Sequence, residues 1–178
     1  MLLVNAWHAK PRGMIILAET FSSWWFILRN PVHFLAFGFG AGLFPGAPGT
    51  AGTLVAFPLF WLLNSRLMPP VFLALIAGLF VLGVWVCGKT GENLGVHDHS
   101  GIVWDEIVAF LLVLTFTPNT LLWQAFAFLL FRTFDVLKPP PIGYFDKTVH
   151  GGFGVMLDDL IAAFYTLLCL AFWKTLIE

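Results

Sequence analysis

Charge is what this sequence has least of. Aspartate, glutamate, lysine and arginine make up 11% of its 178 residues, against roughly 25% in an ordinary soluble domain. Nine Lys and Arg against ten Asp and Glu leave a net charge of -1. The basic footprint of a nucleic-acid binder is therefore missing, and no nucleic-acid partner is expected. Cysteine is scarce too. Cys87 and Cys169 sit inside apolar runs with neither CxxC nor metal-ligand spacing, which excludes a disulfide framework or a zinc site. The first thirty residues lack the basic start, apolar stretch and small-residue cleavage site of a secretory signal.

What is abundant is apolar. The chain is 59% hydrophobic and 17% aromatic, with a mean hydropathy of +0.88. Disorder is excluded, because a disordered chain has little to bury. There is too little polar surface to cover such a core in water, so the solvent must be lipid. The expected class is all-α: a helical integral membrane bundle with several short or tilted transmembrane helices.

Residues 14–28 have a two-sided pattern. Leu17, Phe21, Trp24 and Leu28 recur on one side, and Glu19, Thr20, Ser22 and Ser23 cluster on the other. An amphipathic helix lying in the membrane interface fits this pattern, as does a helix packed on the rest of the protein. The division expected is an interfacial segment over 1–30 and one helical membrane domain over 31–178. Apolar segments follow at 53–67 (containing Pro58), 71–87, from just after Asp105-Glu106 to 116, 121–136 and 160–173. Several fall short of the roughly 20 residues that span a bilayer. A further stretch, 34–44, is broken by Gly38, Gly40 and Gly42 and reads as half-inserted.

Counting ends gathers the chemistry on one face. The Gly/Pro-rich stretch, the segment from Lys89 to Glu106, the segment from Arg132 to Asp159 and the N-terminus all fall on the side where the first span begins. Seven of nine Lys and Arg lie there, Arg66 and Lys174 being the exceptions. By the positive-inside rule this face is cytoplasmic. Eight of the ten acids lie there as well, counted without Glu19. The pairs Asp105-Glu106 and Asp158-Asp159 are each expected to open an apolar helix. One acid suffices to cap a helix; a second beside it, shielded from water, needs a cation. Carboxylates without clustered Cys or His suit a hard ion such as Mg²⁺.

Two further features suit phosphate. In Phe44-Pro45-Gly46-Ala47-Pro48-Gly49-Thr50-Ala51-Gly52-Thr53, glycines let backbone N–H groups approach a ligand, with Thr50 or Thr53 capping the next helix. The Lys-Ser/Thr ending of a P-loop is absent, and such turns also occur for structural reasons alone. Arg132 and Asp135 stand one helical turn apart, either as an ion pair or, with Lys138, as a phosphate-binding cluster. Three prolines then end the helix. His97, His99 and His150 lie nearby as proton carriers or merely solvated groups. No Arg follows either cysteine at short range, no Asp-x-Asp pair occurs, and no His and Arg arrangement forms a phosphohistidine site. Metal-activated water is then the simplest nucleophile.

The runs FPGAPGTAGTL, GVHDHSGIVWDEIVAF and FRTFDVLKPPPIGYFDKTVHGGFGVMLDDLIAA, in that order, resemble the phosphatidylglycerophosphatase A family. The resemblance extends from about Asn30 to beyond Ala163. It implies an all-helical, Mg²⁺-dependent phosphatase of the bacterial inner membrane that converts phosphatidylglycerophosphate to phosphatidylglycerol, its partner being a phospholipid in the bilayer. On that reading Asp105, Glu106, Asp158 and Asp159 hold metal, with Asp135 a further ligand or base. Arg132, Lys138, Gly49 and Thr50 bind the phosphate. The competing class is a carboxylate-based cation transporter. Against it, the segment after Glu106 reads IVAFLLVLTF, which offers no polar path across.

Overall fold

The computed structural model describes residues 24–96 and 98–177, and no strand occurs among them. Residues 24–28 are helical, whereas 14–23 of the expected interfacial helix lie outside the described residues. Asn30 caps α1 (Pro31–Ala36), its side chain accepting from the Val32 N–H. A 3-10 segment follows over Gly38–Leu43, kinked where Phe39 and Gly40 take positive φ. The broken apolar stretch is thus two short helical pieces. Proline at the first turn then starts both α2 (Pro48–Asn64) and α3 (Pro69–Leu94), where its missing N–H costs nothing. Gly95, in the left-handed conformation, ends α3.

The next helix, α4 (Trp104–Phe116), is the core. Ten of its thirteen residues are buried. At a rise of 1.5 Å per residue it is about 20 Å long, so it is sheathed by protein rather than spanning lipid alone. Thr120 caps α5 (Leu121–Leu137). After Pro139, Pro140 and Pro141 comes a short helix the sequence reading did not anticipate, α6 (Ile142–Thr148). The last helix, α7 (Gly151–Ile177), packs on α3, α4, α5 and α6.

Two expectations are corrected here. The fifth apolar segment begins nine residues earlier than expected, at Gly151, so Asp158 and Asp159 lie inside α7. They do not cap its N-terminus. Likewise α2 starts at Pro48, and the Thr53 hydroxyl donates back to the Gly49 carbonyl rather than capping the helix.

Helices α3 and α7 are long and apolar enough to cross a membrane. Only 28% and 44% of their most apolar stretches are buried, whereas the core helix of a soluble protein would be mostly covered. Val81 and Trp85 on α3, Leu122 and Leu129 on α5 and Phe172 on α7 all face outward. Such a surface is stable against lipid, and the protein is membrane-associated.

Candidate active site

One cavity, about 420 Å³ in volume, lies where the start of α2, the loop before α4, the first turn of α4, the end of α5 and the first third of α7 meet. These segments are far apart in sequence. Their convergence is what the end-counting anticipates.

The acids are distributed unevenly around it. Asp105 and Glu106, in the first turn of α4, and Asp159, in α7, each present one carboxylate oxygen, and these three atoms lie within 4.8 Å of one another. All three residues are nearly buried. Asp105 Oδ1, Glu106 Oε2 and Asp159 Oδ2 have no hydrogen-bond partner. Buried charge without a partner is strongly unfavourable, and either a shared proton or a cation relieves it. Asp158 does not join this grouping. Its Oδ2 accepts from Lys138 Nζ at 2.6 Å, and its Oδ1 accepts from the Asp159 N–H at 3.0 Å.

The cations are engaged too. Arg132 pairs with Asp135 across one turn of α5, and its Nη1 lies 3.6 Å from Glu106 Oε1. Its Nε is buried without a partner. Lys138 donates to both Asp158 and Asp146. Burial pulls the Lys138 ammonium towards neutrality, but these two hydrogen bonds outweigh it and hold its pKa above the usual lysine value. It stays charged at any physiological pH.

Gly49 and Thr50 line the cavity at the first turn of α2, which no side chain caps. Their N–H groups have no intrahelical acceptor. A Cβ at Gly49 would collide with Glu106 Oε1 and stand 2.9 Å from Arg132 Nη2, so only glycine lets α2 approach this closely. Six carboxylates (Asp98, Asp105, Glu106, Asp135, Asp158 and Asp159) line the cavity against Arg132 and Lys138, a formal excess of four negative charges.

Among the histidines, His97 lies outside the described residues. His99 accepts from the Gly101 N–H at 3.0 Å, and His150 lines a separate small cleft with Asp98, Asp146 and Asp158. Asp98 and Ser100 at the rim, and Asp146 behind Lys138, went unselected by the sequence reading. Its only signal for them was their place inside the recognised runs.

Arg132, the uncapped start of α2 and three converging carboxylates share this cavity, in a protein whose outer surface suits lipid. The class so defined is a membrane-associated, all-helical hydrolase of phosphate esters. Within it, the chain belongs to the phosphatidylglycerophosphatase A family, whose model matches residues 34–174. It is 50% identical over 143 residues to phosphatidylglycerophosphatase A of Haemophilus influenzae, covering 79% of this chain and 87% of that one. It is 44% identical over 136 residues to phosphatidylglycerophosphatase A of Escherichia coli, covering 76% and 78%. No solved structure matches the chain. The activity that follows is that of a phosphatidylglycerophosphate phosphatase.

Proposed function

We propose that this phosphatase works with Mg²⁺ held by Asp105, Glu106 and Asp159, at the cytoplasmic face of the bacterial inner membrane. The observation that carries the reading is the convergence of three buried carboxylates, each with an oxygen that nothing satisfies. An all-oxygen donor set without Cys or His fits a hard divalent ion. Charge points the same way: a cavity with four excess negative charges repels a phosphate monoester until positive charge is added. A divalent ion bound there supplies that charge and acidifies water at neutral pH.

The chain's own groups do the rest. Arg132, oriented by Asp135 and facing Glu106, holds the terminal phosphate and offsets charge developing on its oxygens. The Gly49 and Thr50 N–H groups complete that cradle at the positive end of α2. Asp135 stands on the same cavity as the base that receives the proton of the attacking water. The water oxygen bonds to phosphorus as the phosphorus–oxygen bond to glycerol breaks. The leaving glycerol oxygen takes a proton from water, and inorganic phosphate departs while phosphatidylglycerol keeps its acyl chains in the bilayer. The chain crosses the bilayer several times as one helical bundle. The excess of Lys and Arg on the segments that build the cavity supports the cytoplasmic placement. The transporter reading gains no support from α4: beyond Glu106 the buried side chains from Ile107 to Leu114 are apolar, and the Thr115 and Thr117 hydroxyls donate within their own helix.

The test is phosphate release from phosphatidylglycerophosphate by protein purified in detergent, with Mg²⁺ and after exhaustive chelation. Turnover should vanish on chelation and return with Mg²⁺. Full turnover by the chelated protein would overturn the metal reading.

A further inference from the structure

Lys138 was expected to hold phosphate, but its surroundings suit another task. Its ammonium stands 2.6 Å from Asp146 Oδ1 and 2.6 Å from Asp158 Oδ2. Two carboxylates around one ammonium leave no net positive charge to offer a substrate. We infer that Asp146 and Lys138 are positioning residues: Asp146 holds Lys138, Lys138 holds Asp158, and Asp158 fixes Asp159 through its backbone N–H. The inference rests on the proposed role of Asp159 in holding a divalent cation.

Three local features support it. Lys138 sits at the end of α5 in the left-handed conformation, with φ 42° and ψ 56°. Glycine is the usual residue there, and a strained non-glycine persists where its side chain is required. Next, α6 folds back so that Gly143 meets the Lys138 carbonyl; a Cβ at Gly143 would stand 2.9 Å from that oxygen. This close approach brings Asp146, one helical turn further on, to the ammonium. Finally, the Asp158 side chain is only 8% exposed. Left without Lys138 it would be a second uncompensated charge beside Asp159, and the most direct relief would be for it to rotate and release the Asp159 N–H. Residues in such supporting positions orient metal ligands without touching the ion.

The experiment compares Asp146→Asn and Lys138→Met with the parent in two measurements. One is phosphate release over a matrix of substrate and Mg²⁺ concentrations. The other is the rise in melting temperature that Mg²⁺ gives without substrate. Both variants should raise the Mg²⁺ concentration for half-maximal turnover by roughly tenfold or more. The substrate KM at saturating Mg²⁺ should stay close to the parent's. The Mg²⁺-dependent rise in melting temperature should shrink. Asp146→Glu, which keeps the charge, should recover most of both, and serves if Asp146→Asn does not fold.

If Lys138→Met instead raises KM and leaves the Mg²⁺ response intact, Lys138 touches phosphate and the inference fails. It fails equally if Asp146→Asn lowers the melting temperature but keeps the full Mg²⁺ shift, which is the signature of a purely structural ion pair. A chelated parent with full turnover would instead defeat the cation reading on which the inference rests, so the two failures are distinguishable.

Discussion

Gly49 lies against Glu106 so closely that no side chain fits between them. The start of α2 and the first turn of α4 are thereby held in contact, and the Arg132 guanidinium closes the third side at 2.9 to 3.0 Å from the same point. Gly49→Ala should therefore displace Glu106 or Arg132. Overpacking of this kind costs about 1–3 kcal/mol, and turnover should fall further than stability because the displaced groups line the cavity. Gly78→Ala is the control: nothing lies within 4 Å of its Cβ position, and alanine favours the helix by about 0.5–1 kcal/mol. Melting curves and phosphate release for the two variants separate the effects. Equal behaviour of both would show that the contact at Gly49 is not tight.

Much of this arrangement was legible beforehand, for identifiable reasons. The acid pair Asp105-Glu106 and the polar turn before Leu121 are local signals, and α4 and α5 follow them; α2 and α3 showed as apolar runs, but their starts at Pro48 and Pro69 precede the expected residues 53 and 71. The start of α7 at Gly151 was not legible, because the continuous apolar run begins only near residue 160 and glycine is a poor helix former. In the fold, a Cβ at Gly152 would collide with the Val84 carbonyl and one at Gly154 with the Val149 carbonyl. These glycines serve close packing within a helix, a case of tertiary context overriding propensity. The same error put Asp158-Asp159 at a helix end. Which acid joins Asp105 and Glu106 and which faces Lys138 depends on their different directions around α7, and adjacency in sequence does not reveal it. Asp146 was missed because α6 hides behind three prolines.

Arg132 makes charged contacts with two acids, and the consequence for substitution is specific. Arg132→Lys keeps the charge but loses the planar fork. A hydrogen bond to a charged group contributes about 1.5–3 kcal/mol. On that basis, losing one to the phosphate should lower kcat/KM roughly 10- to 100-fold, since about 1.4 kcal/mol is tenfold. Arg132→Ala should be at least as poor in turnover. If Arg132→Lys keeps parental kcat/KM, the residue serves only as a counter-ion for Asp135 and Glu106.

Placement of the cavity on the cytoplasmic side has its own check. Lys89 and Lys147 are exposed on the segments that lead to the cavity, and Asn119 is exposed in the turn between α4 and α5. Single cysteines at Lys89 and Lys147, in a background lacking Cys87 and Cys169, should react with an impermeant thiol reagent only from the cytoplasmic side. A cysteine at Asn119 should react only from outside. Labelling of Lys147 and Asn119 from one side would overturn the alternation of helices across the bilayer.

Function and stability should part company at the three converging carboxylates. Asp105, Glu106 and Asp159 repel one another without a cation, and each buries an oxygen that nothing satisfies. Asp105→Asn, Glu106→Gln and Asp159→Asn each remove one charge at nearly constant size. Without Mg²⁺, each variant should melt at or above the parent's temperature, because repulsion has been relieved. An ion that binds only the folded protein stabilises it by RT ln(1 + [L]/Kd), which is about 2.7 kcal/mol at a concentration 100 times Kd. That gain should shrink in all three variants, together with turnover. Asp158→Asn is the contrasting case. It leaves Lys138 with one carboxylate instead of two and breaks an ion pair whose acid is nearly buried, so it should melt below the parent even without Mg²⁺. Melting curves with and without Mg²⁺, beside phosphate release, decide the matter. If Asp105→Asn, Glu106→Gln and Asp159→Asn all melt lower without Mg²⁺ and keep the full Mg²⁺ shift, their carboxylates are structural and the cation binds elsewhere.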